Sequence, residues 1–192
     1  ISTTPYDLHM NTSIPTQCES GGTVINTPIA ITTDYDGNTR NVSTPDIGAD
    51  EFAGSTTVNI NTSIAAGWNL ISNPVTNPIP GDSVKQLYPT SINAYAFEFA
   101  GGYVQRWRLA NGKGYWEKFP AATTNTITGT ARTRDSISVA AAWNIVGTIS
   151  NTVDTSTIVS VPPGLRASSW FGYSGGYVIV TQLVPGKGYW LK

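Results

Sequence analysis

Few groups in this 192-residue chain could do chemistry, because it holds one histidine, one cysteine and twelve acids. His9 has no Cys or Ser motif around it, so a Ser-His-Asp arrangement finds no support. Asp34, Asp36 and Asn38 stand at i, i+2 and i+4 in a glycine-containing loop and could give oxygen ligands to Ca²⁺. Glycine falls at the fourth position of that loop instead of the sixth, and Pro45 occupies the place of a bidentate acid. An Asx-rich turn is therefore the competing reading. Asp34/Asp36 or Asp50/Glu51 could be paired carboxylates for glycoside hydrolysis. Asp50 and Glu51 are neighbours on an expected strand, however, and point to opposite faces. The remaining chemistry is aromatic. Trp107 and Trp170, with Tyr103 and Tyr173, present flat faces on which a sugar could stack.

The element that must position these groups is written twice. Gly67-Trp68-Asn69-Leu70 recurs as Ala142-Trp143-Asn144-Ile145, Gly101-Gly102-Tyr103-Val104 as Gly175-Gly176-Tyr177-Val178, and Gly112-Lys113-Gly114-Tyr115-Trp116 as Gly186-Lys187-Gly188-Tyr189-Trp190. Repetition at this period marks a duplicated supersecondary unit. No acid and no nucleophile is repeated, so the duplication preserves a shape and points away from an enzyme. The Gly-Lys-Gly phrase lacks the first glycine and the Ser/Thr of a phosphate loop. Gly114 and Gly188 are better read as admitting the Tyr-Trp strand to the core. Trp68, Trp116, Trp143 and Trp190 occur in both copies, and all four are expected to be mostly buried.

Pro and Gly interrupt every window of helical length. One short helix is expected over Asp82–Tyr88, with Pro89 as its stop. Its expected counterpart is Ser156–Val161, with Val84/Leu87 aligned on Ile158/Val161. Tyr95, Phe97 and Phe99 alternate with Ala94, Ala96 and Glu98 as in a half-buried strand. Gly101-Gly102 is then expected to form a two-residue hairpin turn. That register sets Ala96 opposite Trp107, and Trp170 opposite Thr181. Each copy would thus hold one Trp at the same cross-strand spot, which favours packing for Trp107 and Trp170 over a ligand platform.

Charged residues make up 12% of the chain, about half the usual ~25%. Thr, Ser and Asn must carry the polar surface, which suits an extracellular β-protein. The net charge of −1 gives no reason to expect nucleic acid, and no segment approaches the ~20 apolar residues of a membrane span. Residues 1–54 carry seven acids against Arg40 alone, whereas residues 55–192 carry ten bases against five acids. That reversal marks a domain boundary. Cys18, the sole cysteine, can form no internal disulfide. The chain begins at Ile1 without a signal peptide, and a fragment of a larger precursor is expected.

Thr33-Asp34-Tyr35-Asp36-Gly37-Asn38-Thr39-Arg40, followed by Pro45-Asp46-Ile47-Gly48-Ala49-Asp50-Glu51-Phe52, resembles the end of right-handed parallel β-helix domains of secreted bacterial proteins. Tyr6-Asp7-Leu8-His9 and Ser13-Ile14-Pro15 look like the last rung. Residues 55–192 resemble a tandem module near the C-termini of large secreted proteins, often substrates of the type IX route, with Ala142 in place of the usual glycine. These resemblances imply an all-β protein: β-helix end over 1–54, then two homologous β-rich, sandwich- or barrel-like modules over 55–121 and 122–192. They imply location and architecture without a reaction. The expected role is a non-enzymatic, structural or adhesive region on a cell surface, with no cofactor beyond the Ca²⁺ option. The alternatives are a carbohydrate-binding appendage, with extracellular glycan as partner, and a self-assembling filament or sheath subunit. A missing N-terminal β-helix of the same precursor, or self-association, would cover the open end of residues 1–54.

Overall fold

A computed structural model describes His9, residues 18–54 and residues 57–192, so most of the last rung expected before residue 18 lies outside the described residues. The chain divides into two compact units, Ile1–Thr56 and Thr57–Lys192.

The first unit is built on side-chain caps instead of ladders. Among its described residues there is one isolated bridge, Thr33 to Thr39, and no rung of parallel strands. Loop amides without ladder partners must find other acceptors, and the unit's acids provide them. Asp34 accepts from the amides of Asp36, Asn38 and Glu51 and from Asn38 Nδ2, at 2.7 to 3.0 Å. Asp46 accepts from Ser20 N and Phe52 N, Glu51 from Asn41 N and Asp46 N, and Glu19 from Gly54 N. Arg40 donates to the carbonyls of Asp46 and Gly48. Glu19, Asp34, Asp46 and Glu51 thus serve the backbone of this unit.

The second unit is all-β. Its strands are β1 (Thr57–Ile64), β2 (Gly67–Ser72), β3 (Val75–Ile79), β4 (Ala96–Phe99), β5 (Tyr103–Arg106), β6 (Gly114–Phe119), β7 (Thr123–Ala131), β8 (Asn144–Val146), β9 (Val153–Asp154), β10 (Trp170–Tyr173), β11 (Tyr177–Val180), β12 (Gln182–Leu183) and β13 (Tyr189–Leu191). Two four-stranded antiparallel sheets have the same order, β2-β6-β4-β5 and β8-β13-β10-β11. Leu70 pairs with Trp116 and Phe97 with Trp116 in one; Ile145 pairs with Trp190 and Phe171 with Trp190 in the other. A third sheet, β1-β7-β3, lies over the first, and no sheet closes into a barrel. β7, which follows the expected boundary at residue 121, thus pairs with strands of the first copy. Between these layers sit Ile64, Ile71, Val75, Ala96, Leu109, Tyr115, Phe119 and Ile127.

The repeated residues each have a matched job. Asn69 bonds the amide and carbonyl of Ala65 and the carbonyl of Gly67; Asn144 does the same to Ala140 and Ala142. Tyr115 Oη accepts from Ala110 N at 3.0 Å and Tyr189 Oη from Val184 N at 2.8 Å. The two copies also meet about a local twofold. Ser72 N donates to Gly186 O at 2.9 Å, and its equivalent Gly147 N donates to Gly112 O at 3.0 Å. Ile71 bridges to Lys187, and Val146 to Lys113. At the axis the chains cross with backbone against backbone: a Cβ on Gly114 would lie 3.1 Å from Gly188 Cα, and one on Gly188 would lie 3.2 Å from Gly114 Cα. These glycines admit the other copy, not only the Tyr-Trp strand.

Three local expectations need correction. The hairpins have three-residue connections, with Phe99 opposite Tyr103 and Tyr173 opposite Tyr177, and only the first glycine of each pair has positive φ, +74° at Gly101 and +71° at Gly175. Ala96 therefore faces Arg106, and Trp170 faces Val180, so the proposed Trp exchange has no geometric basis. The helix α1 is confined to Val84–Leu87, held by a capping box between Ser83 and Gln86. Its counterpart is a 3₁₀ turn at Thr155–Thr157 capped by Asp154. Because Ser83 bridges Arg108 as Asp154 pairs with Gln182, Val84 corresponds to Thr155 and Leu87 to Ile158. The copies are offset by 75 residues at Trp68/Trp143 and by 71 at Ser83/Asp154, so a deletion in the second copy lies before this turn, and Val161 pins nothing and stands exposed. Finally, Ala96 and Glu98 are the buried face of β4, while Phe97 and Phe99 are partly buried on its other side.

Glu117 on β6 is wholly buried, and Asn93 N donates to its Oε1. Burial pushes its carboxyl up to about 7, against the pull of the Asn93 and Lys118 amides and the Lys85 charge.

Gly114→Ala should cost about 1–3 kcal/mol in urea denaturation, as an overpacked contact, because its Cβ also falls 2.7 Å from Val146 O. Gly102→Ala, with nothing within 4 Å, should be near neutral; equal costs would contradict the crossing. For Glu117 the folded form holds its proton at pH values where the unfolded chain has released it, so stability falls as pH rises from about 4.5 to about 7. Glu117→Gln should therefore gain thermal stability over the wild type at pH 8 relative to pH 5. Parallel pH profiles for the two proteins would count against this.

Candidate functional site

Strands with apolar residues on both faces need two partners. Tyr115, Glu117 and Phe119 of β6 face their own module's interior, and Trp116 turns the other way, toward the opposite copy. Trp116 meets Tyr173 with ring centroids 4.7 Å apart, and its equivalent Trp190 meets Phe99 at 5.0 Å, both edge to face. Leu70 and Ile145 complete this shared apolar layer. On its rim, Trp68 packs at 6.3 Å on Trp116 and 6.0 Å on Phe97; Trp143 packs at 6.1 Å on Trp190 and 6.0 Å on Phe171.

A groove of about 420 Å³ opens along this layer, lined by Trp68, Phe97, Tyr103, Trp116, Tyr173 and Tyr177. Burial, with the neighbouring Tyr103 and Tyr173, pushes the Tyr177 hydroxyl up, so it keeps its proton and can donate. The groove thus offers ring faces and tyrosine hydroxyls, without a carboxylate or imidazole in its wall.

Of the sequence-predicted ligand residues, Tyr103 and Tyr173 come together here, and Trp107 and Trp170 do not. Trp107 is 57% exposed, beside Tyr95 at 6.0 Å, outside this lining. Trp170 is buried with Val146, Leu183 and Tyr189 in the second module's own core. Trp116 and Trp190 are buried as expected, but Trp68 and Trp143 are 43% and 41% exposed, against the expected burial. The reason is their place: Trp68 lies on the edge strand β2 and Trp143 immediately before the edge strand β8, each with an open flank. Trp68, Phe97, Trp116 and Tyr177 are the groove residues outside the sequence-predicted ligand set. The available signal was Trp68 and Leu70 at alternate positions of β2 with the buried Ile71 on its other face.

In the first unit, Asp34 spends its oxygens on four donors, which outweigh its burial and hold its pKa at about 2. Asn38 donates to it, so Asp34 and Asn38 work as an Asx-type turn. Asp36 turns instead toward His9, 2.9 Å from its Nε2, and the ligand atoms of His9, Asp36 and Asp50 lie within 4.8 Å of one another. Glu51 is occupied with loop amides, so Asp50 and Glu51 do not act as a pair. Among the described residues, no helix is long and apolar enough to cross a membrane.

No family model, curated protein or solved structure matches this chain.

Trp116→Ala should cost ~3–5 kcal/mol by removing a large buried side chain, and should also loosen the contact between the copies. Trp107→Ala should stay within about 0.5 kcal/mol, as a surface change. Denaturation of both variants checks the contrast, and a reversed order would refute the assignment of core and surface.

Proposed function

We propose that the chain is a non-enzymatic, extracellular adhesive region of a surface protein, and that the aromatic groove is its binding face. The observation that carries this is the set of rings left open to solvent at the junction of the copies: Trp68, Tyr103 and Tyr177 are all exposed around the Trp116–Tyr173 contact. Such rings bury little against the protein's own core, so packing alone does not account for them. An apolar wall with a few convergent polar groups is the usual form of a small-ligand site. Here the polar groups are tyrosine hydroxyls, and the walls suit the C–H face of a pyranose. Glycan is the ligand class.

A groove walled by aromatic side chains has no group placed to move a proton at neutral pH, which favours binding over turnover. The extracellular setting rests on the resemblance of the repeated phrases to modules of secreted proteins and on the sparse charge. The first unit is read as the end of a parallel β-helix; in support, Asp34, Arg40, Asp46 and Glu51 of the resembling phrase all serve to close its loops.

Pull-down on insoluble polysaccharides with wild type, Trp68→Ala, Tyr177→Ala and Trp107→Ala tests the reading. Retention should fall at least about tenfold for the two groove variants, the loss of one aromatic contact, and persist for Trp107→Ala. Retention that depends on Trp107 and ignores Trp68 and Tyr177 would refute the groove as the binding face. Absence of wild-type retention across a broad glycan panel would refute the glycan assignment.

A further inference from the structure

The two copies share a four-stranded sheet, but only the first has a three-stranded sheet laid over it; the second carries the two-stranded pair β9-β12, whose Val153 and Leu183 pack with Val146, Trp170 and Tyr189. In the first copy β7 runs between β1 and β3, and its Ile127 closes a core over Ile64, Leu87 and Tyr88, all buried. Residues 132–139 are the counterpart of β1 at the offset of 75 that relates Trp68 to Trp143. They are also placed as β1 is: Ile137 Cγ1 would lie 3.1 Å from a Cβ on Gly112, and Thr62 stands in the same relation to Gly186. Yet residues 132–139 form no strand after the Ala131 end of β7. The counterparts of the three buried core residues, Val139, Ile158 and Val159, are exposed, the last by 82%, and the nearby chain residues Val161 and Leu165 are exposed as well. β7 itself occurs once in the chain, already paired on both sides.

We propose that this face of the second module is a β-strand addition site for an extended, uncharged peptide strand from outside these 192 residues. The first copy specifies the occupant's chemistry. In β7, Asn125, Ile127 and Gly129 point inward, and threonines at 124, 126 and 128 alternate with them. An added strand of that pattern would pair with the backbone of residues 133–139 and cover Val139, Ile158 and Val159. Main-chain hydrogen bonds would supply affinity, and the inward aliphatic residue would supply register. The proposal is independent of the glycan reading, since the groove lies on the opposite side of the four-stranded sheets from their module cores.

Two probes test it: a synthetic peptide with the sequence Thr123–Ala131, and the same sequence fused after Lys192 through Pro-Ala-Ala, which raises its effective concentration. Amide exchange of the full chain should slow across residues 133–139, Ser136 excepted because its amide already donates to Asp135, by at least about tenfold with either probe, as expected when amides join a ladder. The Ile127→Asp form of each probe should give no protection. Lack of protection with the fused strand would overturn the proposal, as would equal protection by the Asp form. Protection that grows with protein concentration alone, without any probe, would overturn it in favour of pairing between copies of this chain.

Discussion

Backbone lies against backbone where Gly114 and Gly188 cross, and the arrangement of the second unit depends on that approach. A methyl group at either position would meet a carbonyl oxygen at 2.7 or 3.0 Å, closer than ordinary packing accepts. With hydrogens there, each Gly-Lys-Gly turn can lie on the other copy's β2 or β8 and exchange backbone hydrogen bonds with it. The approach also sets the depth at which Trp116 and Trp190 enter the opposite copy's aromatic rings. Glycine, tyrosine and tryptophan of the repeated phrase are thus one device: the turn crosses, the tyrosine caps its own loop, and the tryptophan reaches across.

A junction made this way cannot bury every ring it recruits. The central strands β6 and β13 are covered on both faces, whereas β2 and β8 are edges, and Trp68 on β2 and Trp143 just before β8 are covered on one flank only. Binding capacity is in this sense a by-product of symmetry. Two sheets meeting about a local twofold leave a groove beside the axis, and the residues nearest it are the large aromatics that packing already required. The first unit solves a different problem. With little ladder structure among its described residues, it satisfies loop amides with carboxylates and loop carbonyls with Arg40, which concentrates acid in the first 54 residues.

Much of this was legible in the sequence. The duplication, the β character and the structural use of Trp116, Trp190, Gly114 and Gly188 follow from spacing and residue type. The register of the hairpins did not, because a Gly-Gly pair fits both two- and three-residue connections, and a one-residue difference moves Trp107 from opposite Ala96 to a place outside the ladder. The exposure of Trp68 and Trp143 was hidden for a related reason: repetition shows that a residue matters to a shape, without showing whether its strand is central or at an edge. The second helix was misaligned because the deletion falls before it, where no shared motif marks the offset. In the first unit, Asp34 and Asp36 read alike by spacing, yet one caps a turn and the other faces His9, a distinction made by residues far away in sequence.

The central claim is the crossing of the two Gly-Lys-Gly turns, and a nuclear Overhauser spectrum of the full chain tests it most directly. Strong cross-peaks are expected between the Hα protons of Gly114 and Gly188, accompanied by peaks joining the rings of Trp116 and Tyr173 and of Trp190 and Phe99. Spectra that keep the intra-sheet peaks of β2-β6 and β8-β13 but lack all three of these contacts would contradict it.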